Sequence, residues 1–245
     1  MTSVEPVTAL TPRPVRRSIL VQSWLNLTFL HWRVEPELVA SMLPAGTRPD
    51  TLHGVAYVGL VPFQMHRVGP LAGPGVPYFG SFPEINVRLY SVDRQGRRGV
   101  VFRSLDAARL LPVLVGRVGF GLPYLWAAMR IDHAADVVTY AARRRWPRSA
   151  GTSSRIAVRV GARIAEPTEL EIFLTARWGL HVRRYGRTLY IPNDHPTWPL
   201  HEAELLELAD ETVGAAGLPP ADTPPVNLLY SPGVAVRFGP PITVT

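Results

Sequence analysis

The chain contains no cysteine. Structural disulfides, thiolate metal sites and cysteine nucleophiles are therefore excluded, and the redox compartment is left open. It also lacks lysine, because all 26 basic side chains of its 245 residues read as arginine. Guanidinium neither condenses readily with carbonyls nor gives up its proton, so no internal side chain can form a Schiff base. Apolar runs such as Leu110 to Gly116 are far shorter than the ~20 residues needed to span a bilayer. The segment up to Ser18 carries Arg13, Arg16 and Arg17 among prolines, without the apolar run of a secretory signal. The expectation is a cytoplasmic, soluble protein with a flexible tail over residues 1–18 and one domain over residues 19–245, with no membrane partner.

What is present suits a globular, turn-rich domain: 47% hydrophobic residues, 18% charged, 25 prolines and 20 glycines. The formal charge of +7 raises the question of nucleic acid. Cations are dense only at Arg143, Arg144, Arg145 and Arg148, where Val137, Tyr140 and Trp146 suggest a strand end. A basic nucleic-acid-associated protein is thus the lesser reading, and no specific nucleic-acid partner is expected.

Hydrophobic periodicity supplies the elements. A strand is expected from Ile19 to Trp32 and a short helix opening at Glu35-Pro36-Glu37. A second strand runs from Val55 to Phe63, followed by a Gly/Pro-rich loop from Gly69 to Pro77 that suits the flank of a pocket. Glu84 to Val92 alternates cleanly and pairs across the turn Asp93-Arg94-Gln95-Gly96 with Val100 to Ser104. Asp106 suits the cap of a helix running toward Val115. Further strands are expected at Met129–Ile131, Val137–Arg144, Arg155–Ile164 and Val234–Phe238, with a hairpin about Tyr185-Gly186-Arg187. Helices are expected over Pro167–Ala176 and, as an acidic helix with Leu205, Leu206 and Ala209 inward, over Leu200–Val213. Many strands with a few short helices give an α+β fold, mainly antiparallel, with a curved or barrel-like sheet.

No glycine-rich phosphate loop, HExxH, GxSxG or cysteine cluster is present. The ordered blocks Phe29-Leu30-His31-Trp32-Arg33-Val34, Val61-Pro62-Phe63, Phe82-Pro83-Glu84-Ile85-Asn86-Val87-Arg88, Ser104-Leu105-Asp106-Ala107, Leu122-Pro123-Tyr124, Leu174-Thr175-Ala176-Arg177-Trp178 and Trp198-Pro199-Leu200 nevertheless form a set. Together they resemble the YqjF-like family of uncharacterised conserved proteins, from about Ile19 to Phe238. That family is distantly similar to acetoacetate decarboxylase, and the resemblance implies a curved β-barrel with a buried cavity. In the decarboxylases a lysine pair follows a Phe-Gly-x-Pro turn, whereas here Phe120-Gly121-Leu122-Pro123 leads to Tyr124 and Leu125. The resemblance therefore implies a site without its nucleophile. Two more departures are Ala176, where the family pattern has an acid, and Asn193-Asp194-His195, where it has paired histidines.

Glu84 and Arg88 share a strand face about 13 Å apart, at roughly 3.3 Å per residue. With Ile85, Val87 and Leu89 opposite, that polar face meets either solvent or a polar cavity. The resemblance favours the cavity, with Glu84 as acid/base and Tyr124 as proton donor. Asp106 is the lesser catalytic candidate beside its capping role. Arg88 and Arg177 are candidate anion binders, although Arg177 equally suits pairing with Glu169 or Glu171. His31 and His195 are candidate ligand-binding residues or hydrogen-bonded core histidines, with a mononuclear site shared with Glu84 as the alternative. No metal or cofactor is expected. The leading function is the binding of a small carboxylate or carbonyl compound, with lysine-independent lyase, hydratase or cyclase chemistry. The alternative is a non-catalytic small-molecule-binding module, and either form is compatible with a homo-oligomer.

Overall fold

The computed structural model describes residues 3–70 and 78–244. Its elements in chain order are β1 (Leu20–Val34), α1 (Pro36–Met42), β2 (Thr47–Pro49), β3 (Ala56–Pro70), β4 (Phe82–Asp93), β5 (Arg98–Ala107), α2 (Leu110–Phe120), β6 (Tyr124–Ala134), β7 (Val137–Trp146), β8 (Ser153–Arg163), α3 (Glu169–Thr175), β9 (Gly179–Arg184), β10 (Arg187–Asp194), β11 (His201–Asp210), α4 (Thr212–Ala215), β12 (Asn227–Phe238) and β13 (Ile242–Thr243). Gly69 and Pro70 end β3, while residues 71–77 of the expected Gly/Pro-rich loop lie outside the described residues.

Nine strands close into a mixed barrel in the order β5-β6-β7-β8-β11-β12-β1-β3-β4, with β4 hydrogen-bonded back to β5. Most pairs are antiparallel, but β6 and β9 run parallel to β5. A parallel neighbour needs a crossover connection, and α2 is the one between β5 and β6. The β9–β10 hairpin then spans from β5 to β12, where Asn193 pairs with Phe238. This bridge makes a second ring that shares β12, β1, β3, β4 and β5 with the first.

The bridge decides what happens to β4. Ile85, Val87 and Leu89 enter the core cluster that includes Val138, Tyr140, Ile156 and Val158 of β7 and β8. The opposite face, carrying Glu84, Asn86, Arg88 and Tyr90, is covered by the hairpin side and is also buried. A hairpin seen alone leaves one face wet. Here both faces are sealed, so the polar face lines an interior.

The acidic segment expected as a helix over Leu200–Val213 is instead β11, with α4 after it. A register shift between Leu205 and Glu207 adds one residue to the strand, so Ala203, Leu205 and Leu208 pack inward and Leu206 is exposed. The bulge imitates helical spacing, and pairing with β8 overrides the helix preference of Glu, Leu and Ala. Asp106 lies inside β5 and caps nothing, because α2 begins after Arg109 with no side-chain cap. α3 does carry the signal that its sequence suggests, a capping box between Thr168 and Glu171. Residues 3–18 hold no helix or strand but lie against the barrel: the Val15 amide donates to Asp194 at 2.8 Å and Arg98 donates to the Glu5 carbonyl at 2.7 Å.

Candidate functional site

A cavity of about 320 Å³ lies in the second ring, walled mainly by apolar side chains such as Trp24, Phe63, Phe102 and Trp198. Into it converge Glu84, Asn86 and Arg88 from β4, Tyr124 from the start of β6, Arg177 from the segment after α3, and Asn193 and His195 from the end of β10. An apolar pocket with a few convergent polar groups is the usual form of a small-molecule site.

Tyr124 donates its phenolic hydrogen to Glu84 Oε2 at 3.0 Å. Burial pushes the Glu84 carboxyl up to about 8, Asp106 adding to the rise and the Tyr124 bond opposing it. Glu84 is therefore a neutral acid at pH 7. Burial and the neighbouring Glu84 raise the Tyr124 phenol well above its ordinary value. Gly116 of α2 sits flat on this ring, since a Cβ there would come within 2.4 Å of Tyr124 Cδ2. Only glycine allows the helix to approach so closely.

The cationic end is built differently. Arg88 donates to the Tyr90 hydroxyl at 3.1 Å and the Leu174 carbonyl at 2.9 Å, and it meets no carboxylate among the described residues. Arg177 is ion-paired with Asp50, not with Glu169 or Glu171, and packs over the rings of Phe173 and Tyr90 at 4.2 and 4.5 Å. Asp50 also accepts from Arg98 at 2.6 Å, so one carboxylate faces two guanidiniums. With Glu84 neutral and Arg88 unpaired, this end of the cavity carries excess positive charge.

Buried polar atoms without partners are costly and rare in folded proteins. Among the described residues ten side-chain atoms are in that state, and five belong to the cavity wall: Trp24 Nε1, Asn86 Oδ1, Arg177 Nε, Arg177 Nη2 and Asn193 Oδ1. Sequence reasoning missed Trp24, Asn86 and Asn193. Asn86 had a signal, since it lies between Glu84 and Arg88 on the same strand face.

The remaining candidates separate. His195 lines the cavity between Trp178 and Trp198, its Nδ1 donating to the Pro196 carbonyl at 2.7 Å, which leaves Nε2 as its acceptor. Burial lowers it to about 4, so it is neutral. His31 is not in the wall, and both its ring nitrogens are engaged, by Asn227 Oδ1 at 3.1 Å and the Tyr90 hydroxyl at 2.7 Å. His31, His195 and Glu84 therefore do not form a shared metal site. Asp106 faces the other core and is ion-paired with Arg144 at 2.7 Å. Ser91, His181 and Asp93 are linked at 2.8 and 3.3 Å, like a hydrolytic triad. All three are sealed outside the cavity wall, and the serine meets Nδ1, so this is a structural network.

A closed, mainly antiparallel barrel holding such a cavity defines a protein of the acetoacetate decarboxylase-like fold. The chain belongs to the DUF2071 family of uncharacterized conserved proteins, whose model matches residues 21–235. It is 29% identical over 222 residues to the uncharacterized protein YqjF of Bacillus subtilis (strain 168), covering 91% of each chain. Among solved structures, an acetoacetate decarboxylase-like enzyme from Sphingomonas wittichii RW1 superposes with a TM-score of 0.63 at 14% identity over 100% of both chains. The enduracididine biosynthesis enzyme MppR, complexed with pyruvate, gives 0.61 at 16% identity over 96% of this chain and 92% of its own. Acetoacetate decarboxylase from Legionella pneumophila gives 0.58 at 14% identity, with the same coverages of 96% and 92%. At such identities the likeness establishes the fold.

Proposed function

We propose that the cavity binds a small organic acid carrying a carbonyl or hydroxyl group and an apolar body, and acts on it by lysine-independent acid–base chemistry. The observation that carries this reading is the pair of unpartnered Arg177 N–H groups in a cavity with surplus positive charge. A carboxylate satisfies two parallel guanidinium donors at once. Arg88 adds a second cation, and the apolar wall takes the rest of the ligand. MppR, which shares the fold, has been solved with pyruvate, a small oxo acid.

In this reading Glu84 begins each cycle protonated and delivers its proton to the ligand's carbonyl or departing hydroxyl oxygen. Tyr124 supports the resulting carboxylate through the hydrogen bond it already makes. Return of the proton from the ligand carbon or from water completes an enolisation, dehydration or hydration. A non-catalytic binding module is the second reading, favoured by the resemblance, which implies Tyr124 and Leu125 where the decarboxylases have their lysine pair. Calorimetric titration with short oxo and hydroxy acids, beside their amides, tests binding. Proton NMR of the same acids in deuterated water tests exchange or turnover. Equal affinity for acids and amides overturns the carboxylate assignment, and binding without exchange leaves the module.

A further inference from the structure

The helix α2 is apolar along almost its whole length, Leu110-Leu111-Pro112-Val113-Leu114-Val115-Gly116-Arg117-Val118-Gly119-Phe120. Such a helix normally lies inside a protein. Here only Val113 and Gly116 are buried, while Leu110, Leu111, Leu114, Val115 and Val118 form a continuous exposed stripe at i, i+1, i+4, i+5 and i+8. Val118 is 75% exposed. Four large aromatics surround the stripe with exposed surface of their own: Tyr78, Phe79, Trp146 and Tyr185. Nine of the thirteen exposed large hydrophobics among the described residues therefore gather on one patch.

The patch is cationic at its rim. Arg109 lies over Tyr78 at 4.3 Å, Arg145 over Trp126 at 4.9 Å, Arg117 over Trp146 at 5.8 Å and Arg184 over Tyr185 at 4.8 Å. Arg184 also donates to the carbonyl of Val118, and Arg145 shares a shallow groove with Leu110, Leu111 and Leu114. None of these four arginines forms an ion pair with an acid among the described residues. An apolar stripe bordered by aromatic rings and unpaired cations is the composition of a surface that lies in the headgroup layer of a bilayer. A second copy of the chain fits less well, because a two-fold contact would bring two sets of four arginines together without a carboxylate.

We propose that α2 and its arginine–aromatic rim dock the protein flat on an anionic lipid surface. The eleven-residue helix is too short to cross a bilayer, and no helix among the described residues is long and apolar enough to do so. Docking in the interface requires no span, so the expectation of no membrane partner, which rested on the lack of a spanning run, does not bear on it. Leu111 and Val115 line both the stripe and the cavity wall, so the docked face is also the face at which the cavity meets α2. The docking itself does not depend on what the cavity binds.

The test is sedimentation of the full chain with vesicles of equal parts phosphatidylglycerol and phosphatidylcholine, beside vesicles of phosphatidylcholine alone. The expected result is partition into the anionic vesicles that weakens as salt rises. The double variant Leu114→Asp with Val118→Asp should lose at least tenfold of that partition. Arg145→Gln should lose about fivefold, the share of ~1 kcal/mol per surface cation. Arg155→Gln, which changes an exposed arginine of β8, should leave partition unchanged. Circular dichroism and the denaturation midpoint must match wild type, since the changed side chains are exposed. No sedimentation, equal partition into both vesicles, or an unaffected aspartate variant overturns the proposal. So does a dimer in analytical ultracentrifugation that the aspartate variant dissociates, which would make the patch a self-interface.

Discussion

The phenolic oxygen of Tyr124 and Oε2 of Glu84 stand 3.0 Å apart, although their residues sit on strands that are not paired over that stretch. Because burial raises the Glu84 carboxyl to about 8, the folded state binds a proton that the unfolded chain releases near its ordinary value of 4.5. Stability is therefore fully present below the unfolded value, declines as pH rises toward 8, and is level beyond it. Between pH 6.5 and 8 the buried His31, His181 and His195, all lowered by burial, act in the opposite sense, because the unfolded chain still sheds histidine protons there while the folded state has none to shed. The Glu84 contribution is therefore read as the difference between wild type and Glu84→Gln. Relative to Glu84→Gln, wild type should lose about 2 kcal/mol of stability between pH 6.5 and 8, the histidine contribution being common to both. Urea unfolding of both proteins at both pH values checks this, and the same change with pH in the two removes the buried acid from the account.

The same substitution separates catalysis from binding. Glu84→Gln keeps the shape and the Tyr124 contact but cannot cycle a proton. Any turnover should fall by the ~10² to 10⁴ associated with a lost general acid or base, with ligand affinity largely kept. Wild-type turnover should decline above pH 8 as Glu84 ionises. A flat profile through that range would assign proton delivery to another group.

Arg177→Gln removes the two unpartnered donors while Asp50 keeps Arg98. Hydrogen bonds to a charged group contribute about 1.5–3 kcal/mol, so carboxylate affinity should fall roughly 10- to 100-fold, whereas an uncharged amide analogue should bind as before. Calorimetry on the pair of ligands reads the difference. Equal losses for both would mean that Arg177 shapes the cavity instead of holding an anion.

Much of this site was legible because it rests on local pattern. The alternation from Glu84 to Val92 and the turn after it gave the β4–β5 hairpin, and the same alternation put Glu84 and Arg88 on one face. Whether that face was wet was not legible. It depends on the β9–β10 hairpin crossing to β12, a contact between segments that lie far from β4 along the chain. Arg177 is singled out by the sequence either as an anion binder or as a partner of Glu169 or Glu171, and its actual partner Asp50 is not among these, because neighbouring glutamates are visible in the sequence and a distant aspartate is not. β11 was misread because one bulged residue turned a period of two into an apparent helical spacing.

With no lysine in the sequence, no internal side chain offers an amine for imine formation. Borohydride with acetoacetate or pyruvate should therefore trap no adduct on an internal residue, as read by intact-mass and peptide mass spectrometry. An internal adduct would overturn the lysine-independent chemistry.

Asp106 offers the contrast that tests the site's boundary. It stands opposite Ile85 in the β4–β5 register, so its carboxylate points into the core that the cavity does not share. There Arg144 donates to it at 2.7 Å, with the two side chains 2% and 1% exposed, and also to Ser104 at 3.1 Å. Removing one member of a buried pair leaves the other charged without compensation, which costs about 3–5 kcal/mol. Asp106→Asn should therefore lower the unfolding free energy by that order while ligand affinity, measured where the variant is still folded, stays within about twofold of wild type. Glu84→Gln should show the reverse pattern, with little loss of stability at pH 6.5 and loss of turnover. If Asp106→Asn instead abolished turnover at unchanged stability, the catalytic acid would lie on the other face of β5 and the cavity would have to be reassigned.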